Sequence, residues 1–401
     1  MVTVAIISEY NPFHKGHEFQ IRKIREEFGE DTAIIAIMSG NYTQRGDIAI
    51  SDKGTRARCA LIGGVNLVLE IPFPFSSSSA EFFAKSGVKI ADSLGIVDYL
   101  SFGSESGDIK ALELAADIIE SENYKNAFLE ISKNKGLGYP ETCEEAYRAV
   151  SHDESLSFTP NNILALEYIK ALRDFSSSIK PHTIKREGAG YNETNVTREV
   201  FQSAMSIREC FSKSDFKAYE YIPASSVDIY EALAESGDFP TDISKISASF
   251  ISYFRLNPPI SQSEKIHDAE GGLYNRLYNA SFEANDISTL LTLTETKKYT
   301  KARLRRAMLN VYFGVTSSEI RALPHYTQIL AMDKVGMRLL KSVRKRDDFE
   351  ILTKPSAFLH FNDTQRAQKL LSDKADSIFE LTKPIPKSGK SSLTFTPYIK
   401  K

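Results

Sequence analysis

The residues best suited to chemistry stand near the N-terminus, in Asn11-Pro12-Phe13-His14-Lys15-Gly16-His17. An apolar run over 2–8 precedes them and a helix-like stretch over 17–28 follows. Two imidazoles three residues apart at a helix entrance can project side by side toward one anion. There they can donate hydrogen bonds to a pentavalent phosphoryl group and its departing pyrophosphate. The N–H groups and dipole of a helix N-terminus favour phosphate at this place, and Gly16 lets the backbone come close. With 7 His and 21 Gly among 401 residues, chance supplies roughly 0.01 His-x-Gly-His strings. A pair of surface histidines in a polar turn is the plain alternative. Zinc is a weaker one, because no third ligand of the right kind lies nearby, and no metal ligands are assigned. Lys15 either adds charge to the phosphate site or is an ordinary surface lysine.

A second phosphate binder is suggested by Ser203-x-x-Ser206-x-Arg208. Its N–H groups, hydroxyls and guanidinium could clamp the β- and γ-phosphates opposite the two histidines. A plain Ser-rich helix cap has the same spelling. Arg45, in the loop after the second apolar run, could hold a carboxylate or an RNA phosphate, or be a solvated loop arginine. The one nucleic-acid feature is the run 297–306, with Lys297, Lys298, Lys301, Arg303, Arg305 and Arg306 and no acidic residue. Read as a helix, it turns Leu304, Ala307, Met308, Val311 and Tyr312 inward and fans Arg303, Arg305 and Arg306 over an outer face that could track an RNA backbone. A solvated helix surface is the common alternative. Arg338, Lys341, Arg344, Lys345 and Arg346 form a second cluster, partly offset by Asp347 and Asp348.

These residues need a frame. Apolar runs over 2–8, 32–38, 66–71 and 97–103 alternate with helical segments over 17–28, 54–62 and 80–94. Strands apolar throughout, separated by helix-length segments, predict a doubly wound α/β domain with a parallel sheet covered on both faces. Ligands then bind beyond the C-terminal ends of the strands, where the His14–His17 turn falls. Further helices are predicted over 108–121 and 161–174, a loop over 76–79 and a fifth strand over 182–186. After about residue 215 helical periodicity dominates. The expected division is an ATP-binding catalytic domain over 1–215 and a mainly helical domain over 216–401, with a tail from 383 that is extended or poorly ordered.

Bulk properties exclude several classes. Hydrophobic content of 42% and charged content of 25% are those of a soluble globular chain. No apolar run approaches the ~20 residues of a membrane helix, and residues 1–7 read as a buried strand rather than a signal peptide. Three cysteines are too few and scattered for a disulfide framework, so a cytoplasmic location is expected. A net charge of -2 gives no global pull toward nucleic acid, so RNA binding would need a local basic patch.

His-x-Gly-His after a first strand resembles the nucleotidyltransferase superfamily of adenylyltransferases and class I tRNA synthetases. The longer string 8–17, with Ser39-Gly-Asn-Tyr-Thr-Gln-Arg-Gly46, is similar to the bacterial tRNA(Met) cytidine acetate ligase family. Phe102-Gly-Ser-Glu105, Pro160-Asn-Asn-Ile163, Lys185-Arg-Glu-Gly-Ala-Gly-Tyr191 and Ser203-Ala-Met-Ser-Ile-Arg208 continue the likeness in order. The resemblance implies a Rossmann-like N-terminal domain that activates acetate with ATP and Mg²⁺ and acetylates N4 of the wobble cytidine of elongator tRNA(Met). It assigns ATP binding to Ile7, Ser8, Glu9, Tyr10, Asn11, Pro12, Phe13, His14, Lys15, Gly16, His17, Gly103, Asn162, Arg186 and Glu187. Catalysis falls to His14, His17, Ser206 and Arg208. Outside the resemblance, Gly103 is a strand-end glycine, Asn162 a helix cap and Arg186 a surface strand residue. Glu187 stands where relatives often carry an apolar residue. The alternative activity is a small-molecule adenylyl- or cytidylyltransferase acting on a phosphate ester, which would not need the helical half.

Overall fold

A computed structural model describes residues 1–134, 137–152, 156–186, 201–260, 265–296, 299–344, 346–391 and 394–400. Its first part alternates as the sequence predicts: β1 (Thr3–Ser8), α1 (Lys15–Phe28), β2 (Ala33–Ser39), α2 (Lys53–Ile62), β3 (Leu67–Ile71), α3 (Ala80–Leu94) and β4 (Tyr99–Ser104). Next come α4 (Ile109–Glu120), α5 (Glu122–Asn134), α6 (Tyr139–Ser151), α7 (Pro160–Asp174), β5 (Lys180–Lys185) and α8 (Ala204–Ser212). Strands β5-β4-β1-β2-β3 lie side by side and parallel. Every residue of β2 and β3 is buried, because helices cover both faces. Ile7, Ile35, Ile37 and Leu69 meet Phe83, Val88 and Leu94 on one face. Val4, Ile6, Ile34, Ala36 and Val68 meet Ile21, Ile24, Ala57 and Leu61 on the other. The doubly wound reading holds. Helix α1 begins two residues earlier than expected, and residues 75–77 form a short 3₁₀ turn that overlaps the start of the expected loop.

Beyond residue 215 the chain is mostly helical, with α9 (Ala224–Glu235), α10 (Ser247–Leu256), α11 (Leu273–Ser281), α12 (Ile287–Thr294), α13 (Lys301–Phe313) and α14 (Ser317–Ala322). Then follow β6 (Tyr326–Met332), α15 (Lys334–Ser342), β7 (Glu350–Leu352), α16 (Asp363–Phe379) and β8 (Tyr398–Ile399). The mainly helical part also returns three strands to the sheet. Strand β6 pairs antiparallel with β3 and carries the sheet on to β7 and β8. Only residues 329–332 of this segment are apolar, and pairing with the edge of β3 makes 326–332 a strand. The helical segment itself packs on the C-terminal end of the sheet, where Tyr42, Ile48 and Phe73 join Phe250, Phe254, Leu277, Leu304 and Met308 in one core.

The tail is also better tied than expected. Lys383 is buried and pairs with Glu380 (2.8 Å) and Asp238 (3.3 Å), while Phe395 and Tyr398 lie against the core under α2. No helix among the described residues is long and apolar enough to cross a membrane.

Candidate adenylyl-transfer site

The turn between β1 and α1 is built by its own histidines. His14 is the N-cap of α1, and its Nδ1 accepts the Gly16 N–H (3.0 Å). The Nδ1 of His17 accepts the N–H of His14 in return (3.2 Å). This is a capping box made of imidazoles in place of the usual hydroxyl and carboxylate. The two rings stack with centroids 3.7 Å apart, and Tyr10 stands edge-on to His17 at 4.8 Å. A Cβ on Gly16 would stand 2.9 Å from Cε1 of His14, so the glycine makes room for the ring.

Because both Nδ1 atoms accept, each neutral ring must carry its proton on Nε2. The capping box therefore fixes both tautomers as Nε2 donors, and among the described residues neither Nε2 has a partner. Burial lowers the pKa of His14 to about 3, with Arg186 and Arg208 adding to the effect. Burial, then His14 and Arg186, hold His17 well below the usual range. Both rings stay neutral at physiological pH. The unfolded chain takes up a proton on each ring near pH 6.5, whereas folded His14 does so only near 3. The stability these rings contribute is complete above pH 6.5 and is lost as pH falls below it. Nitrogen-resolved NMR of the free protein should show both rings as the Nε2–H tautomer from pH 8 down to 5. A midpoint near 6.5 for either ring would overturn the assignment.

The second motif meets the first. Ser203 caps α8 by accepting the Ser206 N–H (3.1 Å), and Nη1 of Arg208 donates to the Asn11 carbonyl (2.7 Å). Asn11 is buried, and its side-chain oxygen accepts the Ile50 N–H (2.8 Å). Tyr10, just before it, has φ 45°, a left-handed conformation that is strained for a residue with a side chain. Glu9 accepts the Gln44 N–H (2.8 Å), which ties the turn to the loop carrying Arg45. Pro12 and Phe13 are buried behind the histidines, and Lys15 is exposed.

Other expected positions fall nearby with different roles. The side chain of Arg186 lies over Gly103, where a Cβ would stand 3.1 Å from its Cγ. Asn162 is buried, its oxygen accepting from the Glu105 N–H (3.1 Å) and its nitrogen donating to the Ser157 carbonyl (2.9 Å). It thus shapes the loop after β4. The side chain of Ile7 packs on Gly87 of α3, and Ser8 ends β1 beside Met38. Glu187 lies outside the described residues, as do Lys297 and Lys298.

The basic run departs most from expectation. Helix α13 starts at Lys301, and Leu304, Ala307, Met308 and Val311 are buried as the periodicity predicts. Arg306, however, is not on an outer face. It is 8% exposed, and its Nε donates to Asp268 (2.7 Å). Arg303 is paired with Asp268 (3.6 Å) and Glu270 (3.8 Å), and Lys301 with Glu295 (3.5 Å). Arg305 reaches back to Asp47 in the Arg45 loop (3.6 Å). Gly46, at φ 74°, lets that loop lie on the backbone of Arg305 and Arg306, where any Cβ would overlap. Arg45 is exposed and forms no ion pair among the described residues. The unpaired positive charge of Arg45 therefore lies beside the histidine turn, whereas Lys301, Arg303, Arg305 and Arg306 of α13 are paired.

Sequence reasoning missed two buried cations on α2. Lys53 donates to Glu70 (2.7 Å) on β3 and Asp376 (2.6 Å) on α16. Arg56 is fully buried. Their signal was cationic residues on the same helix as the inward-facing Ala57, Ala60 and Leu61.

This geometry can bind a polyphosphate between two neutral imidazole donors and two guanidinium groups, at the ligand edge of a parallel sheet. The profile of the HIGH nucleotidyl transferase family matches residues 1–392. The chain is 37% identical over 366 residues to the tRNA(Met) cytidine acetate ligase of Caldanaerobacter subterraneus subsp. tengcongensis, which covers 89% of this chain and 90% of that one. It is 34% identical over 417 residues to that of Acetivibrio thermocellus, covering 100% and 99%. Thermotoga maritima TmcAL, in a crystal structure with bound alpha-thio ATP, matches with a TM-score of 0.89 and 29% identity, over 100% of this chain and 99% of that one. The chain belongs to the HIGH nucleotidyl transferase family, in the branch of the tRNA(Met) cytidine acetate ligases.

Proposed function

We propose that this protein activates acetate with ATP and transfers the acetyl group to N4 of the wobble cytidine of elongator tRNA(Met). The observation that carries the chemistry is the stacked His14–His17 pair, with both Nδ1 atoms engaged and both Nε2–H groups available. The likeness to tRNA(Met) cytidine acetate ligases over 89% to 100% of the chain supports the acceptor.

A carboxylate oxygen of acetate attacks the α-phosphorus in line, and the bond to the pyrophosphate oxygen breaks. Acetate is already ionised and needs no base, so positioning and charge stabilisation supply the rate. His14 and His17 donate to the charge growing on the phosphoryl and leaving oxygens. Being neutral, they gain most from the charge that develops and bind the ground state only modestly. Ser206 and Arg208 hold the departing phosphates, and Gly103 and Arg186 border the nucleotide. In the second step the exocyclic amine attacks the acyl carbon, AMP leaves and the nitrogen loses a proton. A cytidine reaches the adenylate only if it swings out of its stack. Magnesium supplies charge neutralisation when bound. Among the described residues no group of three His, Cys, Asp or Glu could hold a metal ion, so magnesium would enter with the phosphates of the nucleotide. The activity fits a cytoplasmic protein. Residues 1–215 supply the catalytic turn, and 216–401 supply most of the surface for RNA.

The deciding experiment incubates the protein with ATP, Mg²⁺, labelled acetate and bacterial tRNA. Acid-precipitable label that depends on tRNA is expected, and its absence while ATP still binds would refute the proposal. Truncation at 215 is no substitute, because it also removes β6, β7 and β8 from the sheet. A companion test concerns the acceptor's path. Arg45→Ala should leave acetyl-adenylate formation intact, weaken tRNA affinity and reduce the salt slope of binding by about one. Unchanged affinity and slope would remove Arg45 from the RNA path.

A further inference from the structure

Arg56 lies in the first half of α2, with no solvent exposure and, among the described residues, no carboxylate within ion-pair distance. Its four side-chain hydrogen bonds all go to main-chain oxygens. Nε donates to the carbonyl of Ser51 (3.1 Å), Nη1 to those of Glu9 (2.6 Å) and Ser39 (3.2 Å), and Nη2 to that of Gly40. A buried charge without a counter-charge is expensive, and carbonyl dipoles are what satisfy this one. Lys53, one turn earlier, is met by two carboxylates and joins β3 to α16. Arg56 does something different.

The four carbonyls belong to three segments that frame the nucleotide site. Glu9 is where the chain leaves β1 for the histidine turn, Ser39 and Gly40 end β2, and Ser51 closes the loop that carries Arg45. Glu9 is followed by the strained Tyr10 and by Asn11, whose carbonyl accepts from Arg208. A planar fork of donors sets the spacing of several acceptors at once, which an ammonium cannot do. Misplacing catalytic groups by about 1 Å can lower a rate 100-fold while the fold survives.

We propose that Arg56 is a positioning residue for adenylyl transfer. By fixing the Glu9 carbonyl against the ends of β2 and the 41–51 loop, it holds the turn where His14 and His17 meet the transition state. This rests on the adenylate-forming reading above. Ground-state ATP binding draws on many contacts, Arg186, Arg208 and Gly103 among them, and is expected to feel the loss of Arg56 less.

The test measures acetate-dependent ATP–pyrophosphate exchange in the full-length wild type, Arg56→Lys and Arg56→Gln, each well below its melting midpoint. Active sites are counted by stoichiometric ATP binding. Both variants should lose about 30-fold or more in kcat per ATP-binding site with KM for ATP within about threefold, and Lys should retain more than Gln. A purely structural role would lower the number of ATP-binding sites and leave kcat per site near wild type, which would overturn the proposal. It would also fall if both variants lost ATP binding or failed to fold, since Arg56 would then be a general scaffold residue. If the wild type showed no exchange, the adenylate-forming reading itself would fail. Active wild type with fully active variants would sink only the claim about Arg56.

Discussion

Replacing His14 by Ala or by Asn should reduce acetyl-adenylate formation by about 100- to 1,000-fold, equivalent to about 2.7–4 kcal/mol of transition-state stabilisation. The two variants separate the two jobs of this side chain. His14 caps α1 through Nδ1 and leaves Nε2–H free for phosphate. Asparagine is a good N-cap and keeps the first job, whereas alanine loses both, so only His14→Ala should also lose about 1 kcal/mol of stability. Equal rate losses with unequal stability losses are therefore expected, measured by pyrophosphate exchange and denaturant unfolding. Binding of tRNA should persist in both, because the role proposed for the ring is in phosphate transfer. If His14→Asn kept near-normal activity, the ring would be a cap only.

The second large effect is on stability. Lys53→Met should destabilise the protein by about 3–5 kcal/mol, because it leaves Glu70 and Asp376 buried without their shared cation. Burial works against the charge on Lys53, but Asp376 and Glu70 outweigh it and raise its pKa. Burial, with Asp376, raises the pKa of Glu70, and Lys53 opposes this most, with a smaller effect from Lys369. In the variant the folded state binds a proton on Glu70 over a range where the unfolded chain has released it. Stability relative to wild type should then fall as pH rises above about 4.5, the unfolded carboxyl value. Urea unfolding at pH 5 and pH 8 measures this, and a deficit smaller at pH 8 than at pH 5 would contradict it. Asp376 also accepts from Asn41 (2.8 Å), so loosening of α16 should accompany the loss.

What the sequence makes legible here is local. The turn over 11–17 contains its own capping groups, so residue type and spacing carry its structure. The strands of the first part are apolar runs between helices, and Ser203 to Arg208 spells a cap followed by a cation. What escaped depends on distant partners. Helical periodicity placed Arg306 outside because it treats α13 as half-exposed. In the fold the helix is buried from Leu304 and then Arg306 through Val311, and Asp268 on another segment neutralises the arginine. The run over 326–332 looks like a strand, but nothing local says that it joins β3 from more than 250 residues away. Arg56 was hidden for the same reason, since carbonyl oxygens leave no mark on residue type.

The antiparallel pairing of β6 with β3 has a consequence for biogenesis. The nascent chain makes the histidine turn well before β6, and β3 stays an open edge until residues 326–332 are available. An open apolar edge invites pairing with other chains, and contacts of such high sequence separation form slowly. Premature termination or proteolytic nicking within the helical segment should therefore yield aggregating fragments in place of a small soluble enzyme. The histidine turn is translated about 300 residues ahead of the strand that closes the open edge of its supporting sheet.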